Sequence, residues 1–90
     1  MQREMNQKAM SRIIRIYMTY SCSDCRRDKW FLSERQLPFE EINIEETPEA
    51  EEFVLRANAG RRKLPTFDVG GRTFHCSPYD PEKLRRELGL

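Results

Sequence analysis

The hydrophobic positions of the chain fall into short runs whose spacing alternates between strand-like and helix-like. Residues 13–18 read Ile-Ile-Arg-Ile-Tyr-Met and place bulky, mostly β-branched side chains on both faces, which predicts a buried central strand. A helix is predicted over about 22–36, and Pro38 ends it because the position before a proline disfavours helical geometry. The core side chains predicted for this segment are Trp30, Phe31 and Leu37.

The middle of the chain continues this alternation. Residues 39–44 alternate apolar and polar side chains, as a half-buried strand does. Thr47 and Pro48 are residue types favoured at the first positions of a helix, and Gly60 is typical of a helix end. The predicted apolar face of that helix consists of Ala50, Phe53, Val54 and Ala57.

The last third of the chain predicts two short strands and a final helix. The strands cover 66–69 and 72–76, and Gly70-Gly71 between them is a two-residue hairpin signal. The final helix begins at Asp80, and its predicted core side chains are Leu84 and Leu88.

The resulting order, β-α-β-α-β-β-α, predicts one α/β domain over residues 12–90. The first two strands should pair in parallel through a right-handed crossover, since a helix joins them. The hairpin adds an antiparallel pair, so the sheet should be mixed, with four strands and helices on its faces. Residues 1–11 carry mixed charge without an apolar period and are predicted to be a flexible leader.

Composition narrows the function classes. The chain has 90 residues, of which 16 are basic and 15 acidic, and its net charge is +1. Such a chain has no strong positive electrostatic field that would attract nucleic acid. No apolar run is long enough for a membrane span or a secretion signal, so we expect a cytoplasmic protein. We also expect it to be a monomer. Basic pairs such as Arg26-Arg27 and Arg85-Arg86 are typical of a solvated face.

The candidate chemistry lies in Cys22-Ser23-Asp24-Cys25, between the first strand and its helix. Backbone N–H groups and the dipole at a helix N-terminus favour a thiolate. Two intervening residues let both sulfurs meet across one helical turn. Cys22 is nearer the helix end and solvent, so it is predicted to attack disulfides, and Cys25 to resolve the mixed disulfide. Asp24 opposes a thiolate and the following basic residues favour it, a balance that the sequence leaves open.

Other interpretations of the cysteines stay open at this point. The pair is either incidental, redox-active, or half of a zinc site, which needs four ligands. His75 and Cys76 are the candidates to complete such a site, but adjacent strand residues point to opposite faces. Redox chemistry is therefore favoured without a metal, and Cys76 is interpreted as a small core residue.

A second motif, residues 59–66, reads Ala-Gly-Arg-Arg-Lys-Leu-Pro-Thr and resembles the T-G-x-R-T-V-P loop of the glutaredoxin family. Residues 42–45, followed by Glu52-Phe53-Val54, are similar to its glutaredoxin-like and mycoredoxin-like branch. The resemblance runs over about 13–88. It implies a thioredoxin fold, a cis peptide bond before Pro65, and reduction of mixed disulfides. The co-substrate implied is a low-molecular-weight thiol, glutathione or a mycothiol-like compound, with no tightly bound cofactor.

The resemblance also implies residues that bind this thiol. Leu64 would offer its backbone, Arg61 or Arg62 would pair with a carboxylate, and Tyr20 would flank the attacking sulfur. Each has a plainer interpretation as part of a solvated loop. The thiol-binding candidates implied are Tyr20, Arg61, Arg62, Leu64, Pro65 and Asp80. Asp80 equally fits a helix N-cap, and Pro65 an edge-strand proline.

Four functional hypotheses follow, and the intact cysteine pair argues against one of them, a redox-inert binding module. The first is an enzyme, a thiol-disulfide oxidoreductase that acts on small-thiol mixed disulfides or on protein disulfides. The second is an electron-donor redoxin that a protein of the thioredoxin-reductase type recharges. The third is a metal carrier that holds zinc or an iron–sulfur cluster. The order of elements and the placement of Cys22 and Cys25 favour the first.

Overall fold

The computed structural model describes residues 13–90, and the predicted leader over 1–11 lies outside them. The elements in this part of the chain are β1 (Ile14–Met18), α1 (Ser23–Glu34), β2 (Phe39–Asn43), α2 (Pro48–Ala57), β3 (Thr66–Val69), β4 (Arg72–His75) and α3 (Pro81–Leu88). The predicted order of helices and strands is confirmed, and the observed bounds differ from the predicted ones by at most three residues. The first helix ends at Glu34 because Gln36 takes a left-handed φ of 57°.

The sheet has the order β2-β1-β3-β4. β1 pairs with β2 in parallel, and β3 pairs antiparallel with both β1 and β4. Gly70 and Gly71 have φ of 62° and 91°, as the tight β3–β4 hairpin requires. The predicted parallel pair, hairpin and mixed sheet are therefore confirmed. Because Tyr17 pairs with Thr66, the segment that leaves β1 meets the segment that enters β3.

Side chains pack on both faces of the sheet. On one face, a continuous core joins the strands to α1 and α3; it includes Ile14, Ile16, Met18, Phe31, Leu32, Phe67 and Leu84. On the other face, Ala50 and Val54 of α2 pack on Ile44, and Phe53 stacks on Tyr17 with ring centroids 4.5 Å apart. α1 therefore packs on one face of the sheet, and its N-terminus lies near the end of β1.

Trp30 does not lie in the core, so that prediction is wrong. Its side chain is 66% exposed. The inward positions of α1 are Cys25, Asp28, Phe31 and Leu32. These four follow the helical repeat, which directs Asp28 towards the core and Trp30 away from it. No helix within residues 13–90 is long and apolar enough to cross a membrane.

Candidate active site

Cys22 and Cys25 lie together at the N-terminus of α1. Cys22 is the N-cap residue, with extended φ and ψ of −83° and 114°, and its Sγ accepts the N–H of Cys25 at 3.0 Å. This is the position in which a capping oxygen normally satisfies a free helix N–H. The sulfur of Cys22 therefore faces a hydrogen-bond donor at the positive end of the helix dipole.

The two thiols differ in their access to solvent. Cys22 is partly exposed, whereas Cys25 is completely buried. Burial raises the pKa of Cys25 far above its usual range, and the hydrogen bond and charge of Cys22 raise it further. Cys25 is therefore a protonated thiol in the reduced protein, and Cys22 is the thiol that a substrate can reach.

The loop that enters β3 faces Cys22. The Leu64–Pro65 peptide bond is cis, as the resemblance implied. The carbonyl oxygen of Leu64 lies 3.8 Å from the Sγ of Cys22 and accepts from its thiol. The structure thus brings Cys22, Leu64 and Pro65 to one edge of the sheet.

Partly buried hydrogen bonds hold this loop in place. The hydroxyl of Thr66 donates to the carbonyl of Lys63 at 2.6 Å and accepts from the side-chain amide of Asn58 at 3.0 Å. The same amide donates to the carbonyl of Val54 at 2.8 Å. Asn58 therefore ties the end of α2 to the start of β3.

The segment between β4 and α3 is a third part of the chain that adjoins the cysteines. Ser77–Pro78 is a second cis peptide bond, and the N–H of Tyr79 donates to Oδ1 of Asp24 at 3.3 Å. One carboxylate oxygen of Asp24 is thus engaged by the segment between β4 and α3. This contact links the residues between the two cysteines to the far edge of the sheet.

The remaining thiol-binding candidates all lie at exposed positions. Tyr20 is 65% exposed, and Arg61 is exposed and makes no ion pair within residues 13–90. Arg62 pairs with Glu51 at 3.4 Å and reaches Glu45 at 4.0 Å. Asp80 caps α3, because its side chain accepts the N–H of Lys83 at 3.1 Å. The N-cap interpretation of Asp80 is therefore confirmed.

Cys76 is a core residue, as predicted. It is 1% exposed, and its thiol donates to the carbonyl of Asp80 at 3.7 Å. Burial and the nearby charge of Asp28 raise its pKa to about 11. In the described part of the chain, no three histidine, cysteine or acidic side chains come together as a metal site, so Cys76 and His75 do not complete one with the Cys22 pair.

Sequence reasoning missed Asp28. Its side chain is fully buried on the inward face of α1, one turn after Cys25, and neither oxygen has a hydrogen-bond partner within residues 13–90. Burial raises its pKa to about 8, and the charge of Asp24 adds to this effect. The available signal was the helical repeat, which places residue 28 in line with Cys25 and Phe31.

A groove lies beside the cysteines on the outer face of α1. It encloses about 320 Å³ and is lined by Ser23, Arg26, Arg27, Trp30 and Tyr79. Exposed tryptophan and arginine are the residue types enriched where proteins bind one another. The groove begins at Ser23, directly after Cys22.

Comparison with known proteins gives concordant matches. The family model named Glutaredoxin matches residues 14–74. The glutaredoxin-like protein NrdH of Lactococcus lactis subsp. lactis is 40% identical over 74 residues, which cover 82% of this chain and 97% of the relative. These matches confirm the resemblance inferred from the sequence.

Solved structures agree with this result. The glutaredoxin of Methanosarcina mazei Go1 superposes with a TM-score of 0.74 at 21% identity over 89% of this chain and 81% of its own, a likeness that shows the fold. The glutaredoxin-like NrdH-redoxin of Escherichia coli, which has a thioredoxin-like activity profile, superposes with a TM-score of 0.67 at 34% identity. That match covers 81% of this chain and 91% of the redoxin. The predicted thioredoxin fold is confirmed.

Proposed function

The chain belongs to the glutaredoxin family of thiol-disulfide oxidoreductases, and we propose that it reduces disulfides by a two-step cycle at Cys22 and Cys25. The observation that carries this assignment is the asymmetry of the two thiols. Cys22 is partly exposed and its Sγ accepts a 3.0 Å hydrogen bond at the helix N-terminus, whereas Cys25 is completely buried. The sulfur of Cys22 can therefore react with a substrate, whereas the sulfur of Cys25 can react only with Cys22.

The first step is attack by the Cys22 thiolate on one sulfur of a disulfide. The Cys22–substrate bond forms, the substrate's own S–S bond breaks, and the second substrate sulfur leaves as a thiolate. In the second step Cys25 attacks Sγ of Cys22. The Cys22–Cys25 disulfide forms, the mixed disulfide breaks, and two electrons have passed from the protein to the substrate.

The oxidised protein then needs two electrons from a thiol donor. A small peptide-like thiol would bind along the Leu64–Pro65 backbone, with Arg61 as the cation for its carboxylate. Arg61 fits this role better than Arg62, because Arg62 already pairs with Glu51 and reaches Glu45. Tyr20 would flank the attacking sulfur from the solvent side.

A protein reductase of the thioredoxin-reductase type is the second candidate electron donor. It is favoured by the engagement of Arg62 and by the role of Asp80 as a helix cap, since both reduce the set of groups left for a small thiol. The groove that contains Trp30 and two arginines offers such a protein, or a protein substrate, a surface beside Cys22. The thioredoxin-like activity profile of the E. coli relative points the same way.

The test assays Cys22→Ser and Cys25→Ser on two substrates, a mixed disulfide of glutathione with a short peptide and the disulfides of insulin. Glutathione and thioredoxin reductase are each supplied as the sole electron source. Cys22→Ser should abolish both activities, whereas Cys25→Ser should keep only the first, because a small thiol can release the adduct directly. Wild-type rates in Cys22→Ser would overturn the proposal. Turnover with only one electron source identifies the donor.

A further inference from the structure

Asp28 is the most unusual buried residue of the structure. It lies one helical turn after Cys25, it is 0% exposed, and both of its oxygens lack a hydrogen-bond partner within residues 13–90. A buried polar group without a partner costs free energy of folding. Asp28 and Cys25 are buried on the same face of α1, so the carboxylate lies where it can act on the thiol of Cys25.

The titratable groups near Asp28 lie on α1 and on the segment between β4 and α3. On α1, Asp24 and Cys25 lie one turn earlier, and Cys76 approaches from the segment that follows β4. The charge of Asp28 raises the pKa of both Cys25 and Cys76, which places the carboxylate near the two thiols. Asp80 and Lys83 act on Cys76 from the start of α3. Asp24 is the one charge in the described part of the chain that shifts Asp28.

The resolving step poses a problem that the two cysteines cannot solve alone. Cys25 is completely buried and protonated, and it must lose its proton to attack. Sγ of Cys22 is no acceptor at this stage, because it is bonded to the substrate in the mixed disulfide. The backbone hydrogen bond from Thr19 to Cys25 stabilises a thiolate but takes no proton.

We propose that Asp28 accepts the thiol proton of Cys25 as Cys25 attacks the mixed disulfide, an assignment that rests on the proposed roles of Cys22 and Cys25. The proton moves from Sγ of Cys25 to the Asp28 carboxylate, directly or through one water molecule. The Cys22–Cys25 bond forms, and the substrate leaves as a thiolate that takes its proton from solvent. When a thiol donor later reduces this disulfide, Asp28 returns the proton to the departing sulfur of Cys25.

The chemistry of Asp28 suits this transfer. Burial and Asp24 raise its pKa to about 8, and proton transfer is most effective when the acid–base group titrates near the working pH. Cys76 cannot replace it, because the thiol of Cys76 is itself protonated and donates to the carbonyl of Asp80. Asp28 is therefore the carboxylate that is available to Cys25, and its charge acts on that thiol.

The test follows both steps in one stopped-flow trace. Dithiobis(nitrobenzoate) releases one coloured thiolate when Cys22 attacks and a second when Cys25 resolves the adduct. The protein carries Cys76→Ser, so that only these two thiols react. Asp28→Asn should slow the second release at least about tenfold and remove its rise towards a midpoint at about pH 8, with the first release unchanged. The control is Glu34→Gln, an exposed acid on the same helix, which should change neither.

A second release in Asp28→Asn that keeps the wild-type rate and pH profile would overturn the assignment and leave the proposed cycle intact. Loss of both releases in the parent protein would instead overturn the cycle. If Asp28→Asn does not fold, infrared spectroscopy on the parent protein decides. The band of the protonated carboxyl should disappear with the same midpoint, at about pH 8, at which the second release reaches half of its maximal rate. Two different midpoints would contradict the proposal.

Discussion

The backbone N–H of Cys25 donates a 3.0 Å hydrogen bond to Sγ of Cys22, so the two redox partners are also a helix cap and its first capped residue. The bond does two things at once. It directs a hydrogen-bond donor at the exposed sulfur, and it holds that sulfur over the turn that contains the buried one. When Cys22 forms a mixed disulfide, the same cap keeps the adduct within reach of Cys25.

This geometry predicts the order in which the thiols react with an alkylating agent. Cys22 should be modified first in the native reduced protein, by at least about two orders of magnitude, because Cys25 and Cys76 are 0% and 1% exposed and have raised pKa values. Mass spectrometry of peptides after brief exposure to iodoacetamide measures the order. Early labelling of Cys76 would contradict its place in the core.

Trp30→Ala should weaken the use of protein substrates without changing the chemistry. The exposed indole lines the groove that begins at Ser23, and loss of a central tryptophan from an interface costs about 1–2 kcal/mol, or about a 5- to 30-fold drop in kcat/KM. Insulin reduction measures the loss, and the reaction with dithiobis(nitrobenzoate) should stay unchanged. Ile13→Ala removes another exposed apolar side chain and serves as the control. Equal losses on both substrates would place Trp30 in the catalytic machinery instead.

Thr66→Val should destabilise the loop that faces Cys22. The substitution keeps the shape but removes the hydroxyl that bonds Lys63 and Asn58, which leaves the partly buried carbonyl of Lys63 without its partner. We expect a loss of about 1–3 kcal/mol in the free energy of unfolding, measured with urea. Thr73→Val, at an exposed position of β4, is the matched control. If the two variants lose the same stability, the buried network does not hold the loop.

Asp28 should make the stability of the reduced protein depend on pH in a particular direction. Its folded pKa of about 8 lies above the value of about 4 in an unfolded chain, so between these values the folded state keeps a proton that the unfolded state releases. Stability therefore falls as pH rises through this window, by up to about 1.4 kcal/mol per pH unit, and levels off above it.

Asp28→Asn removes this slope. The variant should gain stability relative to the parent as pH rises from about 5 to about 8, as urea unfolding at several pH values would show. Glu34→Gln should run parallel to the parent, because Glu34 is exposed. A constant difference between Asp28→Asn and the parent over this range would mean that the carboxylate does not titrate there.

Local sequence signals were sufficient for the architecture. Pro38, Pro48 and Gly70-Gly71 mark the ends of helices and strands, because these residues act through their own backbone geometry. The predicted bounds therefore lie within three residues of the observed ones. The cysteine pair was also readable, since a helix N-terminus after a buried strand has a fixed electrostatic character. The cis bond before Pro65 followed from resemblance and not from spacing.

The parts that escaped prediction depend on tertiary packing. The apolar Trp30 is exposed and the polar Asp28 is buried, the reverse of what their polarity suggests. The reason is that the helical repeat, with Cys25 and Phe31 facing inwards, decides which positions are buried. The contact between Asp24 and Tyr79 spans 55 positions and has no local signature. Such contacts define the surroundings of the site, whereas the sequence motif defines its reactive atoms.

The measurement that tests the central claim most directly is the capture of the mixed disulfide. Cys25→Ser removes the resolving thiol, so an attack by Cys22 on insulin should stop at a covalent adduct. Mass spectrometry of non-reduced peptides should place every captured substrate peptide on Cys22, and Cys22→Ser should capture none. An adduct on Cys76, or no adduct while insulin is still reduced, would contradict the account.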